Sequence, residues 1–141
     1  MRRIFLGFVP VFLAFMVLSC GGRLKEKVVE TYDDGKPAKV RLFDRDGVCC
    51  HETEYYESGM VMMEGDMKGE LREGPWKSYF PDGKVQSEGL YEAGVRIGKA
   101  AVYYENGRLY MEGNYKDGKQ TGSWTVYDEQ GYELRVIDFG D

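Results

Sequence analysis

The sequence predicts an all-β fold: a single antiparallel meander sheet of tandem hairpin repeats, with an N-terminal signal helix. Three observations predict it: a 24-residue period, turn residues about every 12 residues, and short strand-like segments between those turns. Tyrosines mark the period, and each is followed four residues later by a glycine; the tyrosines are Tyr55, Tyr79, Tyr103 and Tyr127. Self-similarity at a fixed period indicates a repeat protein, in which each unit buries its apolar face only against its neighbours.

The turn residues divide each unit into two strands. One class of turn contains Asp82-Gly83 and Asn106-Gly107, and the other contains Ala93-Gly94 and Asp117-Gly118. Asp-Gly and Asn-Gly supply the positive φ angles that tight hairpin turns require. The segments between the turns are rich in Tyr, Val, Met and Trp, and the chain after the signal shows no sustained helical period. Because short connections join antiparallel neighbours, we expect about ten strands paired in chain order.

The turns also predict which residues face each other. A two-residue turn at Asp82-Gly83 would place Phe80 opposite Val85 and Trp76 opposite Gly89. A large ring beside a glycine covers backbone that has no side chain of its own. We therefore expect the tryptophan to cover the glycine that it faces across this turn.

The first unit departs from the repeat pattern. It starts near residue 28, and Val40-Arg41 stands where the other units have Glu-Gly. It also contains Cys49, Cys50 and His51, the only histidine. Neighbouring cysteines on a strand point to opposite faces, so an unstrained bridge between them is not expected. A metal or redox site and ordinary strand residues are the two alternatives, and the missing second ligand cluster favours ordinary strand residues.

Residues 1–19 have the features of an export signal. Arg2 and Arg3 precede a mostly apolar stretch that is too short for a comfortable membrane span of about 20 residues. The sequence Leu-Ser-Cys-Gly around Cys20 resembles a bacterial lipobox, in which lipid is attached to the cysteine and cleavage leaves it as the new N-terminus. The alternative is an ordinary secretory signal with a coincidental cysteine. The sequence favours lipidation of Cys20.

Lipidation would make the protein a membrane-anchored lipoprotein of the bacterial cell envelope, facing the periplasm. Residues 20–27 would form a tether, and residues 28–141 the repeat β domain. Removing residues 1–19 changes the formal charge from −5 to −7. An acidic domain does not suit nucleic acid, whose phosphates require clustered Lys and Arg. We expect contact with the membrane through the lipid and a protein or cell-wall glycan as partner, with no nucleic acid.

The repeated aromatic and acidic residues predict an interaction surface. It consists of Tyr55, Tyr79, Tyr103, Tyr127, Glu64, Glu88 and Glu112. A surface tyrosine offers a large apolar contact with a polar tip, which suits protein or glycan partners. The alternative is that the tyrosines only shield a thin sheet. The glutamates recur two strands apart, roughly 10 Å, which is typical of a solvated acidic stripe.

The sequence contains no constellation that predicts catalysis, a cofactor or a metal. Residues 113–119 have P-loop spacing, but Gln120 stands where the magnesium-binding Ser or Thr belongs. That segment also lies in a predicted hairpin, where no helix N-terminus could hold phosphate. The repeated glutamates are equivalent to one another, whereas an acid and a base need different environments. We therefore expect a protein that is not an enzyme.

Residues 103–124, with their Tyr-Tyr, Glu-Gly and Gly-x-Trp elements, resemble the variant MORN repeat of bacterial proteins. The resemblance covers about residues 28–138, and the same pattern appears in YwqK-like antitoxins. It implies a sheet of tandem hairpins and a non-catalytic binding or scaffold module in the cell envelope. The alternative that it implies is an antitoxin or immunity protein, which neutralises a toxin by tight binding.

Overall fold

The computed structural model describes residues 24–140 as one antiparallel sheet whose strands pair in chain order. The strands are β1 Lys25–Thr31, β2 Pro37–Phe43, β3 Cys49–Tyr55, β4 Val61–Lys68, β5 Leu71–Tyr79, β6 Val85–Glu92, β7 Val95–Tyr103, β8 Leu109–Lys116, β9 Lys119–Tyr127 and β10 Glu133–Asp138. The predicted all-β meander is confirmed. The predicted signal helix and Cys20 lie outside the described residues, and β1 begins at Lys25, three residues before the predicted repeat boundary.

The turns that contain Asp82-Gly83 and its equivalents are longer than predicted. The amide of Phe80 donates to the carbonyl of Lys84 at 2.8 Å, and the amide of Gly83 donates to the carbonyl of Phe80 at 2.8 Å. Gly83 has a φ of 86°, which is typical of a three-residue hairpin loop that closes on a glycine bulge. The predicted pairing of Phe80 with Val85 is therefore wrong, because Val85 pairs with Tyr79.

The other class of turn has the predicted two-residue form. Glu92 pairs with Val95 around Ala93-Gly94, and Lys116 pairs with Lys119 around Asp117-Gly118. Ala93 and Asp117 have φ angles of 47° and 52°, and the glycine after each is also positive. Two consecutive positive φ angles define the type I′ turn, whose twist matches that of the flanking strands.

One face of the sheet, here called the tryptophan face, carries Trp76 and Trp124. Trp76 is 4% exposed and Trp124 is 1% exposed. Tyr91 meets the Trp76 ring edge to face, and Tyr115 meets Trp124 in the same way with ring centroids 5.3 Å apart. The core of this sheet is therefore a layer of rings that lie against its own backbone, because the meander has no second layer.

The glycine under each tryptophan belongs to the preceding strand, which corrects the expected arrangement. Trp76 pairs with Gly89 as predicted, but it also pairs with Gly65. A Cβ atom on Gly65 would lie 2.4 Å from the Trp76 ring, and one on Gly113 would lie 2.3 Å from the Trp124 ring. The glycines at these positions allow the rings to approach the backbone of the neighbouring strand.

Two other solutions fill the tryptophan position where the repeat lacks the ring. Ala100 stands between the tryptophans, and there the guanidinium of Arg96 lies over Gly89, with Nη2 2.9 Å from a Cβ built on that glycine. In the first unit Arg41 and Glu52 occupy the glycine and tryptophan positions as an ion pair of 2.7 Å. Glu52 is 4% exposed, and its pairing with Arg41 offsets the cost of burying its charge.

Hydrogen bonds connect successive units along the row of turns at one end of the strands. The hydroxyl of Tyr56 donates to the carbonyl of Tyr79, and that of Tyr104 donates to the carbonyl of Tyr127. Lys84 Nζ donates to the carbonyl of Glu105 at 2.9 Å. These side chains donate to backbone carbonyls at the ends of two strands and in one turn of the next unit, so each bond connects two units.

Candidate interaction face

The face opposite the tryptophans, here called the glutamate face, carries the predicted surface residues. The hydroxyl of Tyr79 donates to Glu64 Oε1 at 2.7 Å, and that of Tyr103 donates to Glu88 Oε1 at 2.6 Å. The third pair, Tyr127 to Glu112, is longer at 3.1 Å. In each pair the tyrosine lies on the strand beside its glutamate, two residues from the direct cross-strand position, where side chains on one face are within reach.

Tyr55 is the exception among the four tyrosines. The three Tyr–Glu pairs are here called the ladder. For Tyr55 the equivalent glutamate position is occupied by Val40, so Tyr55 has no carboxylate of the ladder to donate to. Burial raises the pKa of Tyr55. The first unit therefore contributes an aromatic ring to the glutamate face without the acidic partner that the other units provide.

The Tyr–Glu hydrogen bonds make the ladder an ordered structure, not the fully solvated stripe that the spacing suggested. The carboxylate of Glu88, together with burial, raises the pKa of Tyr103 to about 12. Burial and the Glu64 carboxylate raise the pKa of Tyr79 well above its usual range. Both tyrosines therefore remain neutral donors at physiological pH, and Glu64 and Glu88 are held in fixed positions.

His51 joins this ladder, which the sequence did not predict. Its Nδ1 lies 3.1 Å from Asp66 Oδ1, and its Nε2 lies 3.8 Å from Glu64 Oε2. The Glu64 carboxylate, and with it Asp66, raises the pKa of His51, while His51 lowers the pKa of Glu64. The register of β3 on β4, in which His51 pairs with Asp66, carries the signal. The turns of the first unit do not define the register of β3 on β4, so the sequence did not reveal the pairing of His51 with Asp66.

A row of paired residues crosses the glutamate face from β3 to β9. In order it contains Thr53, Glu64, Lys77, Glu88, Ala101, Glu112 and Thr125. Lys77 Nζ lies 3.5 Å from Glu88 Oε2, so a cation stands between the first two glutamates. Ala101 occupies the same repeat position one unit later, between Glu88 and Glu112.

An open groove of about 570 Å³ lies over this part of the row. Residues from three units line it, among them Lys77, Glu88, Leu90, Ala101, Tyr103 and Glu112. Ala101 has the smallest side chain of the row and is among the lining residues. The groove therefore combines carboxylates, an aromatic ring and an aliphatic side chain in a single concave surface.

The remaining sequence predictions concern chemistry. Cys49 is a buried free thiol, so the adjacent cysteines form no bridge with each other. No group of three or more potential metal ligands occurs among residues 24–140. The segment with P-loop spacing is the β8–β9 hairpin, in agreement with its interpretation as repeat glycines. Within the same described range, no helix has the length and apolar character needed to cross a membrane.

Fold and face together define an all-β protein of tandem hairpin repeats. Two adjacent repeats of the chain, residues 72–93 and 96–117, match the family described as the MORN repeat variant. Each match covers one hairpin, β5–β6 or β7–β8, and the two begin 24 residues apart. No curated protein matches the chain at a significant level. MORN repeats commonly serve as binding or scaffold modules, which is compatible with a non-catalytic repeat protein.

Proposed function

We propose that this protein is a non-catalytic binding or scaffold module of the bacterial cell envelope, anchored to the membrane through lipid on Cys20. The observation that supports binding most directly is the ordered ladder of Tyr–Glu pairs beside an open groove. Fixed side chains lose little conformational entropy when a partner docks on them, so an ordered polar surface favours association.

The arrangement of the carboxylates supports a role without catalysis. Glu64 and Glu88 each accept a hydrogen bond from a tyrosine in the same relative position. An acid and a base of an active site need environments that separate their pKa values. Repetition of one environment serves recognition of a partner over several units better than it serves proton transfer.

The chemistry of the face favours a protein or cell-wall glycan as the partner. The full sequence carries a formal charge of −5, and carboxylates dominate the central row. Phosphate-rich ligands are repelled by such a surface, whereas polar groups with ring or aliphatic contacts are accommodated beside Tyr103 and Leu90.

Capture from detergent-solubilised envelope tests this proposal. The full chain is compared with Tyr103→Ala and with Tyr132→Ala, the latter removing a tyrosine that is 73% exposed and lies off the ladder. We expect Tyr103→Ala to lose a specific partner that both the wild type and Tyr132→Ala retain. Equal recovery by all three proteins would refute a role for the ladder. Mass spectrometry of the mature N-terminus tests the anchor, because an unmodified peptide that begins before Cys20 would exclude it.

An immunity role against a basic toxin is the second candidate, favoured by the carboxylates of the glutamate face. Complementary charge accelerates association and is sensitive to salt. The test begins with the neighbouring genes: a basic toxin encoded there is co-expressed with this chain, and a solitary gene would count against the role. The immunity role would be supported if the wild type rescues growth and Glu88→Gln does not. Failure of the wild type to rescue growth would exclude the role for that toxin.

A further inference from the structure

The row of paired residues on the glutamate face, from Thr53 to Thr125, has a gap in its charge pattern. Lys77 stands between Glu64 and Glu88, but Ala101 stands between Glu88 and Glu112 at the same repeat position. Glu88 and Glu112 flank this methyl group two strand spacings apart, about 10 Å. The groove therefore contains an uncharged position between two carboxylates.

The neighbouring unit shows what fits such a position. There the ammonium of Lys77 lies 3.5 Å from Glu88 Oε2. The pairing residues on either side of Lys77 are glutamates, as they are for Ala101. The repeat therefore contains its own example of a primary ammonium that pairs with a carboxylate of this face from a position between two glutamates.

The gap is not filled by another cation of the described residues. Lys99 lines the groove, but it lies two residues from Ala101, where it pairs with Asn114, and it forms none of the ion pairs found between residues 24 and 140. Glu112 accepts only the 3.1 Å hydrogen bond of Tyr127 on Oε1 among these residues. Its second oxygen thus keeps its capacity to accept from a ligand.

We infer that the groove over Ala101 receives a lysine side chain of a partner polypeptide, with its ammonium between Glu88 and Glu112. The inference rests on the proposed binding function and names the chemistry that the groove recognises. Leu90 and the ring of Tyr103 line the groove and contact the methylenes of the incoming side chain. Lysine stems commonly pack along apolar surface while the charged end remains at a polar site.

A matched set of peptide probes on the full chain tests the ligand. A short peptide with a single lysine flanked by glycines is titrated into isotope-labelled protein, and amide shifts are followed by NMR. We expect shifts centred on Ala101 and Glu112, weakened strongly at about 1 M salt, where screening acts within about 3 Å. The acetyl-lysine version of the peptide should produce no shifts there. Equal shifts with acetyl-lysine, or binding of N-acetylglucosamine oligomers in its place, would overturn the inference.

The variant Ala101→Lys tests the site by supplying the missing ammonium from the protein itself. It should fold as the wild type does, because Lys77 occupies the same position one unit earlier, and it should weaken lysine-peptide binding about fivefold or more. Gln130→Lys adds the same charge in an exposed turn and should leave binding unchanged. If Ala101→Lys unfolds, Glu112→Gln provides the same test by removing one carboxylate charge.

The outcomes separate this inference from the proposed function. Capture of an envelope partner that is lost in Tyr103→Ala but retained in full by Ala101→Lys would overturn the lysine site and leave the binding function intact. Loss of the same partner in both variants, with retention in Gln130→Lys, would support both. Lysine-peptide binding that Ala101→Lys does not weaken would overturn the assignment of the site to this groove.

Discussion

Substitution of Gly113 by alanine tests whether the rings on the tryptophan face hold the sheet together. The new Cβ would lie 2.3 Å from Trp124 Cδ2, whereas non-bonded carbon atoms approach to about 3.5 Å. The ring must therefore move outward by about 1 Å, away from the backbone that it covers. Backbone strain does not enter, because Gly113 is not among the glycines with positive φ.

The size of the effect follows from what the ring loses. Overpacking of a tight site costs about 1–3 kcal/mol. The Trp124 Nε1 hydrogen bond to the carbonyl of Asn114, 3.1 Å long, contributes about 1 kcal/mol more if it breaks. The higher β propensity of alanine offsets about 0.5–1 kcal/mol. We expect Gly113→Ala to lower the free energy of unfolding by about 1–3.5 kcal/mol.

Gly89→Ala is the matched control, because it occupies the same repeat position under a different side chain. There the nearest atom to a new Cβ is Arg96 Nη2 at 2.9 Å, the far end of a flexible side chain that can move aside. We expect a change of less than about 1 kcal/mol, since the gain in β propensity offsets the displacement. Gly65→Ala, beneath Trp76, should resemble Gly113→Ala.

Urea unfolding followed by tryptophan fluorescence and circular dichroism measures these differences, with the slope m as the check for two-state behaviour. A double-mutant cycle with Trp124→Ala isolates the contact, and we expect a coupling energy of about 2 kcal/mol because the clash disappears with the ring. Equal destabilisation by Gly89→Ala and Gly113→Ala would refute the proposed role of the tryptophans. Coupling near zero in the cycle would do the same.

Three further predictions concern single groups. Glu64 raises the pKa of His51 above 6.5, so the charged imidazole stabilises the fold below pH 6.5, and this stability is lost as the pH rises through the folded pKa. Wild type and His51→Gln should therefore differ most in unfolding free energy near pH 6, and a difference independent of pH would contradict this. Tyr104→Phe should cost about 1 kcal/mol in urea unfolding by removing its hydrogen bond to Tyr127, while an unchanged midpoint would assign that bond no net role. Burial raises the pKa of the Cys49 thiol, so peptide mapping should find it unmodified by maleimide in native protein and modified in urea, and rapid native labelling would show that the strand opens.

The local signals of the chain predicted the pairing of strands well. The turn at Asp117-Gly118 encodes its own geometry through two positive φ angles, and the pairing of Trp76 with Gly89 followed from counting outward from a turn. Counting pairs outward from Asp82-Gly83 failed next to the turn, because the loop has three residues and β6 has one extra residue in a bulge. Beyond the bulge the two errors cancel, so the distant pairs were correct.

The candidate site was predicted in part. Tyr79, Tyr103 and the glutamates lie on one face as expected, since residues two apart on a strand share a face. Their hydrogen bonds were not predicted, because they connect diagonal neighbours across β4–β5 and β6–β7, and the sequence reasoning followed the other class of turn. His51 lies in the irregular first unit, and the register of β3 on β4 brings it to Asp66 on this face.

The sequence by itself determined the repeat, the turns and the order of the strands, because these depend on contacts between residues that are close along the chain. Only the tertiary structure decided which glycine each ring covers, what fills the core where Ala100 replaces tryptophan, and where the groove lies. Those outcomes depend on which way a side chain leans and which neighbour on the next strand leaves room for it. Arg96 illustrates the reason: it reaches Gly89 because Ala100 on its own strand carries no ring there and the Trp76 ring lies over Gly65 instead, a condition that no local pattern contains.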